Sequence, residues 1–176
     1  MQDVLKYLTW EITERGARII GCDEEFEGAM EIPSRLDGAE VVEMGKEAFL
    51  GRHLLTSVAI PDSVEVVGEG AFSDCSGLEE LRLGKGIKTI EKEAFYSCSS
   101  LQSVAIPDSV EVVGESAFAR CSGLNELRLG RGIKTIEKDA FRDCSSLRRV
   151  VLPSTLEALA RDAFGFGVDL VFDDER

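Results

Sequence analysis

The sequence has few aromatic residues, a single histidine and no long apolar run. Aromatics make up 7% of the 176 residues and hydrophobic residues as a whole 44%, so a core must come mainly from Leu, Ile, Val and Ala. No run approaches the roughly 18 apolar residues of a membrane-spanning helix, and we expect no membrane insertion. With His53 alone and no Cys-x-x-Cys pair, neither a metal site nor a histidine-dependent catalytic centre is expected.

Basic charge is also scarce. The chain carries 20 Lys and Arg against 33 Asp and Glu, a net charge of −13. The acidity lies at the ends, with 12 acids and 5 bases (−7) in residues 1–50 and 6 acids and 2 bases (−4) in residues 153–176. Phosphate-binding surfaces need a net basic stripe, so we expect no nucleic-acid partner. The acidic ends are typical of solubility and of protection for open sheet edges.

A short repeat organises most of the chain. Its marker is an Ala-Phe pair that recurs with a period of 23, at Phe49, Phe72, Phe95, Phe118, Phe141 and Phe164. Residues 61–83 and 107–129 match at 19 of 23 positions, so alternate units are most alike and the full period is 46. Units repeated at such a period stack into a solenoid, in which each unit buries its apolar side against its neighbours.

Each unit predicts a strand, a corner, a short back strand and a helical turn. The segment Leu78-x-x-Leu81-x-Leu83 alternates as a strand does, with polar side chains outward. Proline or glycine follows and ends the ladder. A second short extended stretch comes next, as in residues 87–90, and Glu91–Cys98 reads as one or two helical turns with Ala94 and Phe95 inward.

This pattern closely resembles the leucine-rich repeat of the BspA-like bacterial class. The match rests on IPDSVEVVGEGAF (Ile60–Phe72), on the Cys-Ser-x-Leu segment at 75–78 and on the leucine strand at 78–83, with their later equivalents. The resemblance extends over about residues 8–172. It implies an α/β leucine-rich repeat solenoid of about six coils, and a binding surface rather than any one activity.

The resemblance also implies capped ends. Residues 10–21 (WEITERGARIIG) are similar to an entry hairpin that turns at Arg15-Gly16. We expect a cap at 1–31, a solenoid at 32–172 and an acidic tail at 173–176. Asp173, Asp174 and Glu175 would protect the last strand edge. The expected state is therefore a monomer, with an edge-to-edge dimer as the alternative.

Four of the five cysteines follow the repeat. Cys75, Cys98, Cys121 and Cys144 each stand three residues after a repeat phenylalanine, which predicts a column along the solenoid. A spacing of about 5 Å between neighbouring coils does not exclude a disulfide. The inward pattern Ala-Phe-x-x-Cys nevertheless favours reduced, buried thiols, because cysteine commonly packs as a small apolar residue. Cys22 lies outside the register and is expected to be a free thiol.

Two short strings imitate catalytic or cofactor motifs. Gly84–Thr89 is similar to a phosphate-binding loop, but Ile87 stands where the Walker motif needs glycine. Gly114–Phe118 begins like a nucleophile elbow and lacks its second glycine. His53 has no companion at a suggestive spacing. We therefore predict no catalytic residues, no cofactor and no enzymatic activity.

What remains is the strand face, which we define as the outward side chains of the leucine strands. We predict that it binds a protein rather than a glycan, since no aromatic residue lies on it between Thr56 and Val151 for sugar stacking. The predicted partner-binding residues are Glu79, Glu80, Arg82, Gln102, Ser103, Asn125, Glu126, Arg128, Arg148 and Arg149. One alternative is a solvated sheet with weak cross-strand ion pairs, such as Glu126 with Arg149. Another is a structural spacer or terminal part of a larger bacterial surface protein.

The sequence leaves the compartment open. If Met1 is the native start, the protein stays inside the cell. If a leader has been removed, the protein is secreted or held at the cell surface.

Overall fold

The computed structural model describes residues 3–173 as a succession of stacked coils built from short strands. In chain order the strands are β1 (Leu8–Thr13), β2 (Gly16–Cys22), β3 (Gly28–Glu31), β4 (Arg35–Leu36), β5 (Ala39–Met44), β6 (Leu55–Ala59), β7 (Val66–Val67), β8 (Glu80–Arg82), β9 (Thr89–Ile90), β10 (Ser103–Ala105), β11 (Val112–Val113), β12 (Glu126–Arg128), β13 (Thr135–Ile136), β14 (Arg149–Leu152) and β15 (Asp169–Phe172). The helical elements are 3₁₀ turns at Val4–Tyr7 and Ser154–Leu156 and an α-helix, α1 (Glu157–Ala163).

Two parallel sheets form opposite sides of the solenoid. The front sheet contains β3, β6, β8, β10 and β12 in that order, and its outward side chains form the strand face. The back sheet runs from β2 through β5, β7, β9 and β11 to β13. Because the coils led by β3, β6, β8, β10 and β12 each contribute one strand to each sheet, the hydrogen bonds of both ladders run along the stack. The predicted solenoid is confirmed. It has about seven coils, led by β3, β6, β8, β10, β12, β14 and β15.

The N-terminal hairpin covers one end of the back sheet. Strands β1 and β2 pair antiparallel, with Thr13 opposite Gly16, so Glu14 and Arg15 form the turn. Strand β2 then pairs parallel with β5. The hairpin expected from the sequence is confirmed, but its turn lies at Glu14-Arg15, one residue before the predicted Arg15-Gly16, because Gly16 already pairs in β2. It occupies the strand edge that the first coil would otherwise expose.

The boundaries at residues 31 and 172 stay predictions. Strand β3 lies inside the segment assigned to the cap, yet it pairs with β6 of the front sheet. At the other end, the Asp173 N–H donates to the Leu152 carbonyl at 2.9 Å. Asp174, Glu175 and the rest of the predicted acidic tail lie outside the described residues.

The predicted helical turn is a tighter structure than an α-helix. The N–H groups of Ala94, Tyr96 and Cys98 donate to the carbonyl three residues earlier, at 3.0–3.4 Å. Those of the residues between them donate instead to the next coil, as Phe95 does to Ala117 at 2.7 Å. Positive φ angles of 55° at Glu93 and 61° at Ser97 stop helix propagation at both ends. The alternation turns this segment into a third column of bonds between coils.

A ladder of phenylalanine rings runs through the core. The rings of Phe49, Phe72, Phe95, Phe118, Phe141 and Phe164 stack on one another with centroids 4.5–5.4 Å apart and interplanar angles of 5–13°. The first five are fully buried and the last is 9% exposed. This confirms the inward assignment of the Ala-Phe pairs. None of the helices among residues 3–173 has the length and hydrophobicity to cross a bilayer.

Candidate functional site

All ten residues predicted to bind a partner are exposed on the strand side of the solenoid. They lie on four successive coils, each set consisting of the residue before a strand and one or two outward residues within it. By coil they are Glu79, Glu80 and Arg82; Gln102 and Ser103; Asn125, Glu126 and Arg128; Arg148 and Arg149.

The strand register brings most of the predicted columns together. Ser103 pairs with Glu80 on one side and with Glu126 on the other. Two residues later along the strands, Ala105 pairs with Arg128. Small and long side chains therefore alternate from coil to coil. This alternation is how the 46-residue period appears on the strand face.

The last predicted coil departs from this arrangement. Strand β14 is absent from the front sheet and pairs with β15, where Arg149 stands opposite Asp169. The ion pair between Glu126 and Arg149, which was the example for the alternative of a solvated sheet, does not form, since neither side chain makes an ion pair within 4 Å among the described residues. The reason is that β12 and β14 share no ladder, so the two side chains are not held opposite each other.

A shallow depression of about 360 Å³ lies over β6 on the strand face. Ala29, Ser57 and Ala59 form its floor because their side chains are small. Arg82 spans this floor and approaches Glu31 across Ala59, with 3.7 Å between the guanidinium and carboxylate atoms. The side chains of Arg82 and Glu31 are 75% and 84% exposed, so the pair contributes little stability.

Glu31 is a strand-face residue that the repeat analysis missed. It stands opposite Ala59, which is 28 positions later rather than 23. The first coil is therefore five residues longer than the others, and a search at a fixed period of 23 passes over it. The signal that could have revealed it is the alternating segment Ala29-Met30-Glu31, in which Met30 is buried between two exposed residues.

On the back of the molecule, charges are paired from coil to coil. The pairs are Lys46 with Glu69 at 3.2 Å, Lys92 with Glu115 at 3.3 Å, Lys134 with Glu111 at 2.9 Å and Arg18 with Glu43 at 2.9 Å. The hydrogen bond from Lys134 lowers the pKa of Glu111, and the one to Glu69 raises the pKa of Lys46. The sequence signal for the three lysine pairs was the presence of opposite charges one repeat period apart.

The strand face is different, because most of its charges have no partner among the described residues. Of its seven predicted charged residues, Arg82 is the one that forms an ion pair within residues 3–173. The other six are Glu79, Glu80, Glu126, Arg128, Arg148 and Arg149. Among the described residues, ion pairs between coils are thus frequent on the back and rare on the front, where unpaired charges of both signs remain.

The cysteine column is structural. All five cysteines are free and buried, and the burial of Cys75, Cys98, Cys121 and Cys144 confirms their inward assignment. The Sγ atoms of the four column cysteines lie 3.1–3.2 Å from phenylalanine carbonyl oxygens of the preceding coil. Burial raises the pKa of Cys22 to about 11 and that of Cys75 to about 12. A hydrogen bond with Cys121, together with burial, raises the pKa of Cys98. Such thiols stay protonated at neutral pH and are poor nucleophiles.

The loop that is similar to a phosphate-binding motif packs against the preceding coil and is hydrogen-bonded to it. A Cβ on Gly84 would lie 2.2 Å from the Pro61 carbonyl oxygen, so glycine allows the loop to pack on the preceding coil. The Lys85 N–H donates to the Asp62 carboxylate at 2.7 Å, which uses the group that a phosphate would need. No cluster of three or more possible metal ligands occurs among the described residues.

The single histidine also has a local role. His53 lies exposed in the turn before β6, and its Nδ1 is 3.0 Å from the Ser76 hydroxyl of the next coil. Within the part of the chain that the structure describes, no acidic group is bonded to its ring. It therefore links two coils at their surface.

Comparison with known proteins identifies the repeat. The model of the BspA type leucine rich repeat region matches residues 42–167 in six copies. These six copies begin at Val42 in β5, inside the longer first coil led by β3. No curated protein gives a significant match.

Solved structures of bacterial leucine-rich repeat proteins share the fold. A Treponema pallidum leucine-rich repeat protein is 33% identical with a TM-score of 0.82, over 87% of this chain and 72% of that one. A protein from Bacteroides capillosus is 29% identical (TM-score 0.63), over 73% of this chain and 96% of that one. A Bacteroides ovatus protein is 26% identical (TM-score 0.61), over 84% and 46% of the two chains.

Proposed function

The chain belongs to the BspA-type leucine-rich repeat family, and we propose that it is a non-enzymatic binding module whose strand face recognises a protein partner. The family as a whole supplies repeat-based binding or structural modules. The observation that favours binding here is the contrast between the two sides. Within the described residues, six of the seven predicted charged side chains on the front form no ion pair, whereas on the back Lys46, Lys92 and Lys134 each pair with a glutamate one coil away and Lys88 and Lys138 do not.

Unpaired charges of both signs suit a protein partner. Charge complementarity steers association and selects partners, while aromatic and arginine side chains supply most binding energy. This face has arginines on three coils and no aromatic residue between Thr56 and Val151. It therefore favours a specific but modest interaction over stacking on sugar rings.

The second candidate is a structural spacer. It is favoured by the regularity of the stack, in which the coils led by β3, β6, β8, β10 and β12 are bonded to one another through two sheets and the turn column. A spacer needs no free charge on one face, however. If the chain is a spacer, reversing charges on the strand face or elsewhere on the surface would have the same small effect on partner recovery.

A matched pair of variants separates these two functions. Arg128→Glu/Arg149→Glu reverses two exposed charges on the strand side, and Arg131→Glu/Lys138→Glu reverses two exposed charges elsewhere with the same change in net charge. Partners recovered from an extract of the source cell by each protein would be compared with those of wild type. We expect the strand-side variant alone to lose its partner. Equal recovery by both variants would favour the spacer.

A further inference from the structure

The groove over β10 carries an unusual arrangement of like charges. Ser103 and Ala105 form its floor, and β8 and β12 form its walls. Glu80 and Glu126 flank Ser103 from the two sides. Arg128 flanks Ala105 from one side, and Arg82, two residues after Glu80, stands on the opposite strand with its guanidinium directed toward Glu31 on the β6 side. We call this the β10 groove.

The dimensions follow from sheet geometry. The two walls are two strand spacings apart, or about 9.6 Å between backbones. The acidic and basic positions are two residues apart along each strand, or about 6.6 Å. A small floor between long walls leaves room for a side chain to enter between them from solvent.

Three of the four charges in this groove form no ion pair within the described part of the protein. Glu80, Glu126 and Arg128 make no ion pair with any described residue. Arg82 makes only its exposed contact with Glu31, at 3.7 Å. Like charges about 9.6 Å apart on the two walls repel each other weakly through water, so a cation between the two glutamates and an anion between the two arginines would relieve both repulsions.

The neighbouring β6 groove is a natural control within the same molecule. Its floor, Ser57 and Ala59, is equivalent to that of the β10 groove, and both share the β8 wall. Its other wall carries Ala29 and Glu31, so it lacks the second member of each like-charge pair. Arg82 and Glu31 neutralise each other there.

The geometry points to an extended peptide segment as the ligand of the β10 groove, with a basic residue followed two positions later by an acidic one. In an extended chain the side chains of residues i and i+2 project from the same face about 6.6 Å apart, which matches the groove. Running parallel to β10, the segment would place its cation over Ser103 and its anion over Ala105. Nucleic acids and acidic glycans supply no cation, and neutral glycans supply neither charge.

This inference rests on the proposed function, and its test uses the intact, ¹⁵N-labelled chain. The probes are the blocked peptides Ala-Lys-Ala-Glu-Ala and Ala-Lys-Glu-Ala-Ala, which have the same composition but place their charges on the same face or on opposite faces. We expect the first peptide to bind about tenfold more tightly, as two exposed ion pairs allow. Amide shifts should change at Ser103 and Ala105 and stay unchanged at Ser57 and Ala59.

Variants confirm which charges are responsible. Glu80→Gln/Glu126→Gln should remove the difference between the two peptides, and Arg131→Gln/Lys138→Gln should preserve it. Equal affinities of wild type for both peptides, or shifts centred on β6, would overturn the inference. If strand-side charge reversal still abolishes partner recovery in that case, the proposed function stands and only the peptide class is wrong.

Discussion

The Sγ atom of Cys98 lies 3.2 Å from the carbonyl oxygen of Phe72, one coil back. The same relationship links each column cysteine to the phenylalanine 26 residues earlier. Each of these carbonyls also accepts a backbone N–H, as the Phe72 carbonyl does from Cys75 at 3.3 Å, so the thiol occupies its second acceptor position inside the stack. The cysteines therefore do more than fill space, because their S–H groups supply donors to the backbone of the preceding coil.

Serine and alanine at position 98 should separate the donor from the volume. Both are close in size, but serine retains a hydroxyl that can donate to the Phe72 carbonyl. We expect Cys98→Ser to be more stable than Cys98→Ala by about 1 kcal/mol, the net value of one hydrogen bond. Urea unfolding of the two variants measures this difference. Equal stabilities of Cys98→Ser and Cys98→Ala would mean that the cysteine column stabilises the protein through packing alone.

All five thiols should be free and poorly accessible. In denaturant without reductant, a thiol reagent is expected to titrate five groups, in agreement with five buried free cysteines. In the native state the four column thiols should react slowly, since reaction requires local opening. A count of one or three in denaturant would reveal disulfides between coils and place the protein in an oxidising compartment.

Stability should fall at alkaline pH because of these thiols. Burial raises the pKa of Cys75 from 9.0 to about 12, and burial also raises the pKa of Cys144. The thiols of the unfolded chain thus lose their protons near pH 9, while those of the folded chain keep them. The contribution of these thiols to the free energy of unfolding is therefore fully present below pH 9 and is lost as the pH rises above it. The slope is about 1.4 kcal/mol per pH unit for each such thiol.

Thermal unfolding between pH 8 and 10 checks this dependence. Wild type should lose stability above pH 9, and Cys75→Ala should lose it less steeply because one shifted group is gone. A flat profile for wild type across that range would contradict buried, protonated thiols.

The repeat predicted the interior better than the surface pairing. Phe95, Cys98 and their equivalents point inward because a constant period gives them the same neighbours above and below. Glu126 and Arg149 share that spacing but do not meet, because the front ladder ends at β12. The strand at which the ladder ends is set by backbone hydrogen bonds near the end of the stack, and the spacing of the repeat does not indicate it.

Two other differences have local causes. Glu93 and Ser97 adopt left-handed backbone angles, which residues other than glycine seldom do, so the pattern of inward residues suggested a helix instead. Glu31 was missed because the first coil is longer than the repeat. In both cases the spacing of apolar residues was correct, and the backbone between them took a path that spacing does not determine.

Removing one ring from the phenylalanine ladder should weaken the stack locally. Phe95 is fully buried between Phe72 and Phe118, with ring centroids 5.3 and 5.0 Å away. Phe95→Ala should cost about 3–5 kcal/mol through the cavity it leaves. Phe166, which is fully exposed, provides a control, and Phe166→Ala should be nearly neutral.

The shape of the unfolding curve provides a second readout. Each coil is stabilised mainly by its neighbours, so the curve of Phe95→Ala should broaden or split around that coil. A Phe95→Ala curve that overlays wild type would contradict the ladder as the main source of stability.

Site-specific photo-crosslinking tests the central claim, that the strand face binds a protein, most directly. A photoreactive residue would replace Gln102 on the strand face in one protein and Lys138 on the back in another, both exposed in the native fold. After irradiation in an extract of the source cell, the account predicts a discrete adduct with one partner at position 102 and none at position 138. Adducts of equal yield at both positions, or an adduct at position 138 alone, would contradict it.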